Sequence, residues 1–371
     1  MTSVAFLVDQ LFATAPGGIG TYTRELVSAL GRADPSLNIA LFHSRFDGPV
    51  TDPLLREHQV EELPWSIRRL YPEWAALRRP ALPGIVAGRD VVHSPVPAAV
   101  PPHGSDQRLV VTVHDIGFLV HPELYGRRWR LMYRAGLARA IRSAHAIIAV
   151  SRHTAEDLVR RTRVDPRRVH VTPLAASLPR GEPDVDRVLS RLKVPRPYIL
   201  YAGTLEPRKN LVRLVRAHRL VTSRGAPHAL VLGGPMGWGP QGLLREISAE
   251  RSGEVLLTGS LSPTDLDALY RGAAAFAYPS LYEGFGLPVL EAMARGIPCV
   301  VSTSSSLPEV AGEAAYLVNP RSVAGLAEAL ERVLNDTPLA AHLRQVGPAR
   351  AARFSWDETA RLTLEVYKSV L

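Results

Sequence analysis

The stretch Tyr278-Pro-Ser-Leu-Tyr-Glu-Gly-Phe-Gly-Leu-Pro-Val-Leu-Glu291 holds the fold in miniature. The apolar run 274–278 reads as a buried strand, Gly284 and Gly286 supply a turn, and a helical pattern begins at Leu287. Pro288 falls in the first turn of that helix, where a missing N–H costs nothing. A strand that feeds through a tight turn into a helix is one unit of a parallel α/β sheet. The helix start also offers unpaired amides and the positive end of a dipole, a site for an anion such as phosphate. Gly284 and Gly286 let that anion come close to the backbone. Glu283 lies just before the turn and Glu291 one helical turn inside, both able to accept hydrogen bonds from the hydroxyls of a polyol. Phosphate and polyol together describe a sugar nucleotide.

The same alternation runs outward in both directions. Downstream and upstream of this segment, strands are expected at 198–202, 229–232, 255–257, 299–302 and 315–318. In the first half they are expected at 4–8, 39–42, 91–93, 109–113, 146–150 and 169–171. Between the two series lies a polar stretch with Pro173, Pro179, Pro183, Pro195 and Pro197, which reads as a linker carrying one short helix. The expected architecture is therefore α/β, with two Rossmann-like doubly wound domains at 1–180 and 190–353. Ligands of such sheets sit at the carboxyl ends of the strands, and the expectation is a cleft between the two domains. The apolar residues of 354–371 call for a helix with a partner surface, and that helix is expected to cross back to the first domain.

Composition narrows the function classes. The chain has 371 residues, enough for two ordinary cores without staples. Its one cysteine, Cys299, excludes an internal disulfide and a cysteine-rich metal site. No signal-peptide pattern precedes the first strand, and no apolar run reaches the roughly 18 residues of a membrane span. A cytoplasmic protein is expected, in peripheral contact with the inner face of the plasma membrane. The net charge of +9 favours an anionic partner. Arg127, Arg128, Arg130, Arg134, Arg139 and Arg142 crowd one helical stretch with Trp129, Leu131, Met132 and Tyr133 and no acid. Such a helix suits an anionic membrane or an acidic acceptor; a core-packed helix with a solvated arginine face explains it as well. No nucleic-acid module accompanies the charge.

Lysine occurs only at Lys193, Lys209 and Lys368, so Lys209 stands out in the motif Tyr201-Ala-Gly-Thr-Leu-Glu-Pro-Arg-Lys-Asn210. Arg208 and Lys209 precede a helix whose dipole they oppose, a placement that a bound anion explains: the arginine as a fork, the lysine as a point charge. In the first half, Ala15-Pro-Gly-Gly-Ile-Gly20 follows strand one and opens a helix near Thr21, a Gly-rich loop of a kind that NAD enzymes also use, though without the spacing of the dinucleotide fingerprint. His114 and Asp115 end the strand 109–113, polar groups placed where an α/β cleft begins, with the aspartate as a loop support. Ser151 or Thr154 caps a helix. Asp265 and Asp267 have the letters of a metal motif but lie two apart in an expected helix, where they point in different directions.

In these motifs the sequence resembles family 4 of the retaining glycosyltransferases, whose fold is GT-B; two glutamates separated by seven residues, here Glu283 and Glu291, are the hallmark. The resemblance covers nearly the whole chain. It implies a catalytic role for Glu283 at the donor sugar's hydroxyls and for His114 near that sugar. It further implies donor binding by Gly17, Gly18, Arg208, Lys209, the amides of Phe285, Gly286 and Leu287, and Glu291 at the ribose. A hexose would move from a nucleotide-diphosphate sugar to a glycan, lipid-linked or small-molecule hydroxyl, with retention, no metal and no cofactor. GDP-mannose is favoured over UDP-hexoses, since the Val-His-Asp strand and His121-Pro-Glu resemble the family's mannosyltransferases. Competing readings are a UDP-glucose or UDP-GlcNAc transferase of the same fold, a nicotinamide oxidoreductase, and a binding module without catalysis.

Overall fold

The computed structural model describes residues 2–13, 17–48, 52–179, 181–249 and 255–371. The chain divides into two compact units, one of Met1–Leu174 with Ser355–Leu371 and one of Ala175–Phe354. The division falls at Leu174 rather than near 180, because the proline-rich stretch and its helix Val185–Arg191 pack with the second unit, against helix Pro263–Gly272.

The first unit is built on seven parallel strands: β1 (Ser3–Leu7), β2 (Asn38–Ser44), β3 (Gln59–Leu63), β4 (Val91–Ser94), β5 (Arg108–Val113), β6 (Ala146–Ala149) and β7 (Val169–Val171). Their order across the sheet is β3-β2-β1-β4-β5-β6-β7, all pairs parallel. The chain winds outward from β1 in one direction and returns to start again at β4, so the switch point lies between those strands. The central strands are continuous apolar runs because helices cover both faces. Strand β3 is absent from the strands expected on sequence: Gln-Val-Glu-Glu-Leu is an edge strand with a wet, charged side, and it carries no apolar run. Helix Gly17–Ala33 begins four residues before the expected start near Thr21, so Gly17, Gly18 and Gly20 form its first turn rather than a loop ahead of it.

Helix Trp356–Val370 belongs to the first unit and lies along helix Gly17–Ala33. Its buried face carries Trp356, Leu364 and Tyr367. The Tyr367 hydroxyl is 2.6 Å from His93 Nδ1, His93 Nε2 is 2.8 Å from Thr112 Oγ1, and Thr112 Oγ1 is 2.8 Å from the Tyr22 hydroxyl. Burial, with nearby His114 adding to it, holds the His93 imidazole down to about 3, so the ring is neutral and serves as both donor and acceptor.

The second unit has six parallel strands: β8 (Tyr198–Ala202), β9 (Ala229–Gly233), β10 (Val255–Gly259), β11 (Ala275–Tyr278), β12 (Cys299–Ser302) and β13 (Tyr316–Val318). Their order is β10-β9-β8-β11-β12-β13, which puts the switch point between β8 and β11. The motif 201–210 leaves the end of β8 and the motif 278–291 leaves the end of β11. Two segments far apart in the chain thus emerge side by side at the crevice where doubly wound sheets bind ligands.

Candidate active site

After β8 the chain passes Gly203, makes the tight turn Pro207–Lys209, and enters helix Leu211–Ser223 through Asn210 at φ 62°. Asparagine tolerates this left-handed geometry. Its buried Nδ2 donates to the carbonyls of Pro279 (3.0 Å) and Pro320 (2.7 Å). The amide of Leu281 donates to the Arg208 carbonyl at 2.9 Å, so the loops after β8 and β11 are joined backbone to backbone.

This junction presses four charged side chains together. Glu283 Oε1 accepts from Lys209 Nζ at 2.6 Å, and Glu283 Oε2 from Arg208 Nη1 at 2.7 Å. Arg208 Nη1 also donates to the Tyr282 carbonyl at 2.7 Å, while its Nε and Nη2 reach Glu206 Oε1 at 3.1 and 2.7 Å. Lys209 Nζ donates to the Tyr278 hydroxyl at 2.8 Å. None of the four side chains is more than 12% exposed. Burial alone would raise the Glu283 carboxyl, but the charges of Arg208 and then Lys209 outweigh it and hold the group at about 2. Burial pulls Lys209 down, and Arg208 adds to this, with Glu283 and Glu206 opposing. Burial raises Glu206 against the pull of Arg208 and Lys209. On sequence, Arg208, Lys209 and Glu283 are separate contacts to a ligand; in the fold they are partners of one another. Glu206 and Tyr278 join them here without having stood out in the sequence, although both lie inside the two motifs.

The turn that aims Glu283 is braced by the loop after β12. The Glu283 amide donates to Ser305 Oγ at 2.8 Å, and Ser306 Oγ lies 2.9 Å from the carbonyl oxygens of both Glu283 and Phe285. Gly286, at φ 115°, precedes helix Leu287–Ala294, with Pro288 at its second position. A Cβ on Gly286 would stand 2.7 Å from Leu307 Cδ2. The side chain of Leu307 can shift, but the backbone angle cannot suit an L-residue. Gly286→Ala is therefore expected to lower stability by about 1–3 kcal/mol. Because the turn would relax toward negative φ and carry Phe285 and Leu287 with it, the KM for the nucleotide-sugar donor expected from the sequence should rise more than the loss of stability explains. Melting temperature and donor KM measured together check this.

Glu291 is on the same helix but not in the ionic knot. The Tyr270 hydroxyl donates to its Oε2 at 3.0 Å, and burial raises its carboxyl while Arg295 and Tyr270 pull the other way. Asp265 pairs with Arg191, whereas Asp267 accepts from Arg271 Nε (2.8 Å) and Arg295 Nε (2.6 Å). The two carboxylates thus face different arginines.

In the first unit, His114 leaves the end of β5. Its Nε2 is buried without a hydrogen-bond partner among the described residues, and the Tyr22 ring meets the imidazole edge-on with centroids 4.8 Å apart. Burial holds it down to about 4, against a hydrogen bond with the Pro95 backbone that raises it. Asp115 Oδ1 accepts from the Gly117 amide at 2.8 Å and so braces the turn behind the histidine. Gly17 adopts φ 59° at the opening of its helix, next to exposed Gly18; Ala15 and Pro16 lie outside the described residues. Ser151 Oγ accepts from the Thr154 amide at 3.0 Å, the cap of helix Arg152–Arg161.

Residues 16–178 match the family described as Glycosyltransferase Family 4, and residues 185–350 match Glycosyl transferases group 1. The O-antigen chain mannosyltransferase B of Escherichia coli is 32% identical over 391 aligned positions, which cover 96% of this chain and 99% of that one. The MMP alpha-(1->4)-mannosyltransferase of Mycolicibacterium hassiacum is 34% identical over 63% of this chain and 56% of its own length. Among solved structures, sucrose-phosphate synthase from Thermosynechococcus elongatus superposes with a TM-score of 0.76 at 21% identity, covering 100% of this chain and 99% of that one. The Anabaena protein HepE, solved with UDP and glucose, gives 0.71 at 19% identity with both chains fully covered. At these identities the structures establish the GT-B fold.

Proposed function

The chain belongs to glycosyltransferase family 4, and from that premise we propose a retaining, metal-independent transfer of a hexose, mannose in preference, from a nucleotide-diphosphate sugar to a hydroxyl of a glycan or glycolipid. The observation that supports this most is the buried group of Arg208, Lys209 and Glu283 at the switch point of the second sheet. Two cations there offset the charge that grows on the departing diphosphate, the interaction on which such a reaction chiefly depends. The first-turn amides of helix Leu287–Ala294, with those of Phe285 and Gly286, receive phosphate and sugar, and Glu291 holds the ribose hydroxyls. Glu283 turns to the hydroxyls of the donor sugar. In the first unit, neutral His114 offers the sugar its Nε2, which has no partner among the described residues, and Gly17 and Gly18 allow close backbone approach to the substrates. The acceptor oxygen attacks from the face the diphosphate leaves, and its proton passes to the departing phosphate oxygen.

Mannose is supported by the names of the relatives at 32% and 34% identity. A thermal-shift series with GDP-mannose, UDP-glucose and UDP-GlcNAc tests the donor. A true donor at 100 times its Kd should add about 2.7 kcal/mol of stability, and the anomeric configuration of the product reads retention. Stabilisation by UDP-sugars alone would transfer the assignment to the UDP-dependent alternative. Donor binding with neither transfer nor slow release of free sugar would make the chain a silent binding module, and activity lost to a chelator and restored by a divalent cation would refute metal independence.

A second element of the proposal concerns helix Arg127–Ser143. Trp129 and Leu131 are 58% and 70% exposed and stand among Arg127, Arg128, Arg130 and Arg134. Solvated arginines alone do not explain two large exposed apolar residues between them; insertion at an anionic lipid surface does. No helix among the described residues is long and apolar enough to cross a membrane. Co-sedimentation with phosphatidylglycerol vesicles but not phosphatidylcholine vesicles is expected, and Leu131→Ser should reduce it several-fold. Equal recovery with both lipids, or no change in the variant, would count against the contact.

A further inference from the structure

Glu206 is the one charged member of the buried knot that the donor reading leaves without a task. It is 6% exposed, and Arg208 donates to it twice, through Nε and Nη2 onto the same carboxylate oxygen. Burying a further carboxylate is a poor route to stability, since an apolar side chain of similar size would serve as well or better. What the pairing does achieve is geometric. With Nε and Nη2 held on one side, the remaining Nη1 is fixed toward the Tyr282 carbonyl and Glu283, the place where the two strand-end loops meet. It is also electrostatic. Two carboxylates and two cations sum to no net charge, so a diphosphate meets a preorganised but balanced site rather than a doubly positive trap.

The backbone shows how Glu206 is held. Its carbonyl accepts from the Lys209 amide at 3.0 Å, closing the tight turn that carries both cations. The loop after β9 is laid against the same segment: the Leu205 amide donates to the Pro235 carbonyl at 2.9 Å and the Gly237 amide to the Leu205 carbonyl at 3.0 Å. A Cβ on Gly237 would lie 2.8 Å from Thr204 Cγ2 and 3.3 Å from Glu206 Cβ, so glycine lets this loop close over the base of the glutamate. Glu206 therefore stands on a rigid support.

We propose that Glu206 is a positioning residue of the transferase: it aims the Arg208 guanidinium at the donor diphosphate and offsets its charge so that the nucleoside diphosphate product is let go. The inference rests on Arg208 and Lys209 being the diphosphate site. Touching Arg208 and not the substrate, Glu206 acts through the arginine, and its two effects separate by chemistry. Glutamine keeps an acceptor at the same reach and removes the charge; aspartate keeps the charge and withdraws the reach.

The test uses the full chain, titrated with GDP and UDP and assayed with whichever donor stabilises it, in wild type, Glu206→Gln, Glu206→Asp and Arg208→Ala. For Glu206→Gln the expected result is nucleoside diphosphate binding tighter by about tenfold, with the chemical step in single turnover within about threefold of wild type. For Glu206→Asp it is near-wild-type diphosphate binding with the single-turnover rate down by about tenfold or more, on the order expected when a charge-stabilising donor is misaimed. Should one of the two variants fail to fold, the other still decides its own half. Unchanged or weaker diphosphate binding in Glu206→Gln overturns the counter-charge role, and an unchanged rate in Glu206→Asp overturns the aiming role. Arg208→Ala keeps the failures apart: unchanged diphosphate affinity there overturns the donor-site reading itself, whereas weakened affinity there with wild-type behaviour of both Glu206 variants overturns only the present inference.

Discussion

Lys209→Ala is expected to lower kcat/KM with the true donor by about 10²–10³-fold, the cost of removing one preorganised charge-stabilising donor. The ammonium is buried, bonded to Glu283 at 2.6 Å and to the Tyr278 hydroxyl at 2.8 Å, and a water entering the vacated space would not restore its charge. Its removal also leaves the Glu283 carboxylate with Arg208 alone, and breaking such a pair typically destabilises a protein by about 3–5 kcal/mol. The second effect must be measured beside the first. A melting curve shows whether the unit is folded at the assay temperature, and the rate is read on the folded fraction. Lys209→Arg should not restore full activity, because a planar fork cannot replace a compact point charge wedged against the Tyr278 ring, whose centroid is 5.1 Å from Nζ. A rate within about threefold of wild type in the alanine variant would remove Lys209 from the donor site.

Glu283→Gln is expected to have an effect of similar size but a different signature. The amide can still accept one hydrogen bond, yet it no longer balances Arg208 and Lys209, and it meets the hydroxyls of the donor sugar without charge. Transfer should fall by about 10²–10³-fold, while binding of the nucleoside diphosphate is retained or tightened because an internal anion no longer competes for the two cations. A variant that lost diphosphate affinity and turnover in equal measure would point to collapse of the site instead. The acid limb of stability offers a second reading. The Glu283 carboxyl is depressed from 4.5 to about 2 in the folded protein, so its pairing contributes fully above pH 4.5 and is lost as the pH falls toward 2. That component of acid destabilisation should be present in wild type and absent from Glu283→Gln.

The two variants bear on different parts of the reaction. If Lys209 serves the leaving group as proposed, its loss should show with every donor that shares the diphosphate. If Glu283 serves the sugar as proposed, its loss should depend on which hexose is offered. Measuring both with two sugars on one nucleotide separates the roles.

Much of this site is legible in the amino-acid sequence. Glycine at 286 and proline at 288 announce a turn and a helix start, and the helix does begin at Leu287. Two glutamates separated by seven residues, and a lysine in a chain that almost always uses arginine, point to three of the four members of the ionic knot once Arg208 is read beside Lys209. Strand β3 is not legible, because an edge strand exposed on one side needs no apolar run. The helix opening at Gly17 lies four residues ahead of its expected place, because three glycines read as a loop while packing of the helix against Trp356–Val370 overrides their low propensity.

By itself, then, the sequence determined most of the local units: the buried apolar strands, the βα turn at Gly286 and Pro288, and which charged residues stand at strand ends. Those follow from periodicity, glycine and proline geometry and helix-end electrostatics, all of which act over a few residues. Only the tertiary structure decided the partners. Arg208 and Lys209 meet Glu283 because β8 pairs with β11, and Glu283 is braced by Ser305 and Ser306 because β12 lies next to β11. The hydroxyl of Tyr367 reaches His93 only because the last helix returns to the first sheet. Sheet order is set by which apolar faces bury best against one another across the whole unit, and no local stretch of chain contains that information. For that reason the residues of the candidate site can be named from sequence, while their pairing with one another cannot.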